Sequence, residues 1–185
     1  VGSEMCIRDS YLVIDFPPGT SDEPLTVAQS LPDIDGMVIV TTPQQVALLD
    51  SRKSITFSES LKVPVLGVVE NMSGYTINGK AAPNSEVQIA GPAGKTLKAT
   101  TNEDGDFSIT IDIFKEGGGK DTAEEFGVPF LGALPFDPGF VRGGDDGVHR
   151  IVSEPEGPSA LAFAKVVAAI QDQLSDGADS GLEII

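Results

Sequence analysis

Thiols and imidazoles are nearly absent from this chain. A single cysteine, Cys6, excludes an internal disulfide and any cluster held only by cysteines of one chain. A single histidine, His149, cannot build a zinc site alone and reads as a surface residue. Long apolar runs are missing as well, since none approaches the roughly 18 residues of a membrane span. Val1–Ser10 has neither the basic flank nor the apolar core of a signal peptide, so a cytoplasmic location is expected. Basic residues are scarce, 12 against 28 acidic, for a net charge of -16. That balance argues against non-specific nucleic-acid binding and against an anionic membrane surface. It leaves room for a small anionic ligand, which backbone amides and a divalent cation can hold. What is present is 40% hydrophobic residues in a chain of 185. This is enough for one packed domain with a small insert.

The chain is organised around Tyr11–Thr20. Four apolar residues lead into Asp15, the pattern of a short, fully buried strand. Pro17 and Pro18 then forbid helix, and Gly19 lets a ligand approach the main chain. A carboxylate at the carboxyl end of a buried parallel strand sits where open α/β sheets bind ligands. Asp15 there suits a metal or its water, and the Gly19 amide suits a phosphate oxygen. A plain strand followed by a Pro-rich turn fits the same ten residues equally well.

Val1–Ser10 shows no period and no cap, and resembles translated adapter text more than the start of a domain. After Thr20 the pattern predicts a helix over 21–31, a strand over 36–41 and a helix opened by Pro43 that runs to about Leu61. A strand over 63–69 follows, with Asn71 just past its end. Between 75 and 110 the pattern changes to short alternating stretches at 76–80, 85–90, 95–101 and 106–111, separated by Gly/Pro/Asn/Asp turns. This passage resembles part of a bacterial immunoglobulin-like or carboxypeptidase-regulatory-like module. It is too short for a full sandwich of roughly 100 residues. Asn102, Asp104 and Asp106 alternate like the start of a calcium loop, but Gly105 is misplaced, and a plain turn is expected. Gly117–Gly119 reads as a flexible link, 120–126 as a helix and 130–134 as a buried strand ended by Pro135-Phe136-Asp137. Residues 141–150 read as a Gly/Asp loop. The last helix starts at Pro158, with Ala160, Phe163, Val167, Ile170 and Leu174 as its apolar stripe. Residues 176–185 read as an acidic tail.

Strands alternating with helices predict an α/β fold with a mainly parallel sheet flanked by helices, carrying a small β-hairpin-rich insert. The expected division is a leader at 1–10, a main domain at 11–74 and 110–176, an insert at 75–109 and a tail at 177–185.

Tyr11–Thr20, Val38–Gln44, Val46–Lys53, Val63–Ser73, Ile111–Gly119 and Gly127–Pro138 occur in an order that resembles the deviant P-loop ATPases related to MinD and ParA. Their closest likeness is to the Mrp-type iron–sulfur cluster carrier ATPases. The resemblance implies an incomplete P-loop NTPase-like fold in which Asp15 manages Mg through water and Gly19 senses the terminal phosphate of ATP. Pro17 and Pro18 would shape that turn, and Asn71, Pro135 and Asp137 would hold adenine. It further implies a homodimer in the intact parent and iron–sulfur recipient proteins as partners. Two departures stand out. No G-x-x-x-x-G-K-[ST] loop occurs, and the Cys-x-x-Cys cluster ligands expected near Tyr75 are replaced by the β-rich stretch. Without the loop, phosphoryl transfer loses its main stabilising contacts; without thiolates, a cluster loses its ligands. The chain as written is therefore expected to be an N-terminally truncated form that neither hydrolyses ATP nor holds a cluster. An inactive scaffold that uses the β-insert is the alternative. A MinD-like positioning ATPase is a third possibility, weakened by the lack of a basic amphipathic helix at the C-terminus.

Overall fold

The computed structural model describes residues 11–17, 22–31, 34–91, 94–114 and 116–179. Val1–Ser10, Pro18, Gly19 and residues 180–185, all assigned roles above, lie outside these. The elements run α1 (Asp22–Ser30), β1 (Met37–Thr41), α2 (Gln45–Leu61), β2 (Val65–Glu70), β3 (Tyr75–Lys80), β4 (Glu86–Ala90), β5 (Thr96–Thr100) and β6 (Asp106–Ile111). They continue with α3 (Gly118–Phe126), β7 (Phe130–Ala133), α4 (Gly139–Asp146), α5 (Arg150–Ser153) and α6 (Pro158–Asp179).

A three-stranded parallel sheet, in the order β1-β2-β7, is the centre of the molecule. Its strands are apolar without alternation because both faces are packed, apart from Val40 of β1, which is 59% exposed. Val68 points to one side, where Ile39, Ile55 and Ala123 bring in α2 and α3. Val69, the next residue, points to the other, where Leu131, Leu134 and Val166 bring in α6. Leu48, Ser51, Ile55 and Ser58 form the buried stripe of α2. Two serines belong in it because each hydroxyl is satisfied: Ser51 donates to the Ala47 carbonyl at 2.9 Å and Ser58 to the Val63 carbonyl at 2.7 Å. Lys62, in the left-handed region at φ 58, ends the helix, and Pro64 keeps it from resuming.

The four alternating stretches are strands. β3 pairs antiparallel with β6 from Tyr75↔Ile111 to Lys80↔Asp106, and β4 with β5 from Glu86↔Thr100 to Ala90↔Thr96. Asn102 Oδ1 accepts from the Asp104 and Asp106 amides at 3.0 and 2.8 Å, which makes the turn before β6 an Asx-type turn.

Five expectations are corrected. Tyr11–Ile14 forms no strand, and Leu12 and Val13 are 80% and 88% exposed. A strand needs a neighbour for its ladder, and among the described residues β1 pairs with β2 alone. Gly117–Gly119 is not a link: Gly117 caps α3 and the next two glycines form its first turn. Most of 141–150 is helical, because α4 is anchored at its start by the Asp137 carboxylate and closed by Gly147 in the left-handed region. On α6 the inward residue is Val166, 6% exposed, while Val167 is 49% exposed. Residues 176–179, expected in the tail, continue α6.

Candidate functional site

The carboxyl ends of the parallel strands are stitched together by main-chain hydrogen bonds. Asn71 N–H donates to the Thr41 carbonyl at 2.7 Å, which ties the end of β2 to that of β1. Leu134 N–H donates to Glu70 at 2.7 Å, Ser73 N–H to Leu134 at 2.9 Å, and Phe136 N–H to Gly74 at 2.8 Å. The loop after β2, carrying Asn71, and the loop after β7, carrying Pro135 and Asp137, therefore lie side by side on the edge where α/β sheets take ligands. Met72 is held in the left-handed region at φ 56, rarely adopted by a residue with a side chain. Its N–H donates to Asn71 Oδ1 at 2.9 Å. The carboxamide nitrogen of Asn71 has no hydrogen-bond partner among the described residues, so a ligand acceptor can meet it. Asp15 and Pro17 are exposed and make no hydrogen bond or ion pair among the described residues.

Asp137 is the most tightly engaged of the expected residues. Oδ1 accepts from Gly139 N–H at 2.7 Å, while Oδ2 accepts from Ser159 Oγ at 2.8 Å and from Arg150 Nε at 3.1 Å. One carboxylate thus fixes the starts of α4, α5 and α6. Burial raises its pKa, but the hydrogen bonds from Ser159, Gly139 and Arg150, with the charge of Arg150, outweigh burial and hold it below the ordinary value of 3.8. The same bond to Asp137, together with the ion pair to Glu154, keeps the Arg150 guanidinium protonated against some burial. A cleft of about 450 Å³ opens beside this fork, lined among others by Tyr75, Asp137, Arg142, Val148, Arg150 and Glu154. Tyr75 is braced edge-on against Phe136 at 5.9 Å.

Sequence reasoning missed Glu70, Arg150 and Ser159. Glu70 is 1% exposed; its Oε1 accepts from Ser73 Oγ at 2.6 Å and Gly117 N–H at 3.1 Å, and its Oε2 from Gly119 N–H at 2.7 Å. No local signal marks Glu70, because its main-chain donors lie 47 and 49 residues along the chain.

No group of three or more His, Cys, Asp or Glu able to hold a metal occurs among the described residues. A Mg ion held by one carboxylate, water and phosphate oxygens would draw on Asp15, which here is exposed and ends no strand. The Asn71 carboxamide nitrogen is open to a ligand, while the Asp137 carboxylate is engaged by its three donors. No helix among the described residues is long and apolar enough to cross a membrane.

The chain is similar to known proteins over most of its length. The family model described as ParA, NUBPL iron-transfer P-loop NTPase, matches residues 8–104 and 100–171. The iron–sulfur cluster carrier protein of Methanocaldococcus jannaschii is 37% identical over 164 residues, which cover 89% of this chain and 47% of that protein. The cytosolic Fe-S cluster assembly factor NBP35 of Eremothecium gossypii is 40% identical over 168 residues, covering 90% of this chain and 43% of that protein. The chain thus spans about half the length of the curated relatives it matches. Among solved structures, a nucleotide-binding protein of Archaeoglobus fulgidus in complex with ADP is 30% identical, with a TM-score of 0.48 over 80% of this chain and 47% of that one. On the match of the family model, the chain belongs to the NUBPL iron-transfer P-loop NTPases.

Proposed function

We propose that this chain forms the base-side edge of the nucleotide site in an ATP-binding iron–sulfur cluster carrier or assembly protein. The observation that carries this reading is the stitching of the Asn71 loop to the Pro135–Asp137 loop at the carboxyl edge of the sheet. Asn71 presents its carboxamide to the adenine edge, Pro135 flanks the ring, and Asp137 anchors the loop from behind. Asp15 serves Mg through water. Gly19 takes the terminal phosphate in this reading, with Pro17 and Pro18 preceding it in the sequence. The cluster is cargo, passed to recipient proteins by the dimeric parent. In such a site ATP and its metal supply the phosphoryl chemistry, while these residues bind and orient. The 185-residue chain, lacking a G-x-x-x-x-G-K-[ST] loop and holding one cysteine, is expected to give no ATP turnover and to retain no cluster.

Calorimetric titration with adenosine and with Mg-ADP tests this. Similar weak affinities for both, reduced about tenfold in Asn71→Ala, support a base-side edge without a phosphate cradle. No binding of either overturns it. ATP turnover, or a cluster chromophore after reconstitution, overturns the expected inactivity.

A scaffold role is favoured by one separate feature. β3–β6 and β4–β5 are two-stranded ribbons, and a ribbon has outer strand edges that a partner chain can extend. Loss of partner capture on deleting residues 76–109 supports that role, and unchanged capture excludes it.

A further inference from the structure

We infer that Glu70 is a positioning residue, a clasp that holds the Asn71 loop against the glycine-rich start of α3 and so sets the orientation of the Asn71 carboxamide. The role in ligand binding rests on the nucleotide reading above; the clasp itself does not.

Three observations converge on it. Glu70 is buried to 1% exposure at the last position of β2, immediately before Asn71. Its two oxygens take donors from both sides of the junction. Ser73 Oγ comes from the Asn71 loop, and the Gly117 and Gly119 amides come from 47 and 49 residues further along. The glycines are also there for room. A Cβ on Gly119 would lie 2.9 Å from Glu70 Cβ and 3.3 Å from Thr41 Cγ2, and one on Gly118 would lie 2.8 Å from Leu48 Cδ1. The ends of β1 and β2 thus meet the first turn of α3 with no space for a side chain between them.

The amides of a helix's first turn have no partner within the helix, and Gly117 offers no side-chain cap. Glu70 supplies the acceptor that α3 lacks. An ordinary capping residue would do that much. Glu70 differs because its other hydrogen bond runs to Ser73, so the same carboxylate also fixes the loop that carries Asn71 and Met72. It further closes the neck of the β-rich stretch, since Tyr75 and Ile111, the paired residues at its base, lie between the two halves of the clasp.

Glu70→Gln preserves shape but turns an amide NH₂ toward N–H donors. In ¹⁵N NMR of the full chain, the expected result is movement of the Gly117 and Gly119 amides together with the Met72–Gly74 amides and the Asn71 carboxamide. Adenosine affinity is expected to fall about tenfold, the worth of the one neutral Asn71–adenine hydrogen bond that a misplaced carboxamide forfeits. Asn71→Ala is expected to add little in the Glu70→Gln background, because both changes act on one contact. Shifts confined to 117–119, with adenosine affinity unchanged, overturn the proposal and leave Glu70 a helix cap. If the wild-type chain does not bind adenosine, the nucleotide reading fails, and the coupled or uncoupled movement of the Asn71 carboxamide alone decides the clasp. Should Glu70→Gln fail to fold, Ser73→Ala, which removes one donor of three, is read by the same resonances and the same criteria.

Discussion

Asp137 shows how a residue expected to face a ligand is used inward. Its three donors belong to three different helices, so its removal loosens all of them. Asp137→Asn is expected to cost about 2–3 kcal/mol, because one amide face meets donors and Arg150 keeps only Glu154. The pH dependence follows from the lowered pKa. The folded carboxylate titrates below its unfolded counterpart, so its contribution is fully present above the ordinary value of 3.8 and is lost as pH falls through the lowered folded value. Urea denaturation at several pH values checks this: the difference between wild type and Asp137→Asn should be constant near neutrality and shrink on acidification. A difference that grows in acid contradicts the assignment. Legibility at this scale was uneven. Asn71 and Asp137 follow strands whose apolar runs mark their ends, so their place on the ligand edge could be read. Glu70 could not, because a charge after an apolar run ordinarily marks the surface, and its burial depends on amides 49 residues away.

Single elements were read well where the pattern is set locally and poorly where a neighbour decides. The four strands from 75 to 111 alternate cleanly and are bounded by turn residues, and all four occur. Tyr11–Ile14 has the composition of a strand but no partner to pair with among the described residues. α4 has glycines that predict a loop, and it is helical because Asp137 and Gly147 hold its ends. α6 exposes a limit of periodicity itself. From Phe163, a step of 3.6 residues falls between positions 166 and 167, and both are valine. Only packing on Val69, Leu131 and Leu134 selects Val166. Val166→Ala is expected to destabilise the fold by about 2 kcal/mol and Val167→Ala by under about 0.5 kcal/mol. Thermal or urea unfolding of the two variants separates them, and equal effects would place the α6 stripe wrongly.

At the scale of the whole molecule, the two apolar clusters on the parallel sheet contain no residue from 75 to 111. The antiparallel ribbons have their own interior, in which Thr101 and Ile109 are 3% and 5% exposed. The stretch therefore contributes little to the core of the α/β layer, although it sits between β2 and α3. Its base is narrow, because Tyr75 and Ile111 are directly paired. Replacing residues 76–110 with a short Gly/Ser link is thus expected to preserve the layer. Shortening the loop that the Glu70 clasp closes, to roughly a third of its length, favours the folded state by about 1 kcal/mol of closure entropy. That gain opposes the loss of packing at the neck, where Tyr75 leans on Phe136. The excised chain should keep its helical far-ultraviolet signal and unfold in one cooperative step. Its urea m-value should be lower, because less surface is exposed on unfolding. Loss of cooperativity would mean that the ribbons and the parallel sheet fold as one unit, and that the clasp alone cannot hold α3 in place.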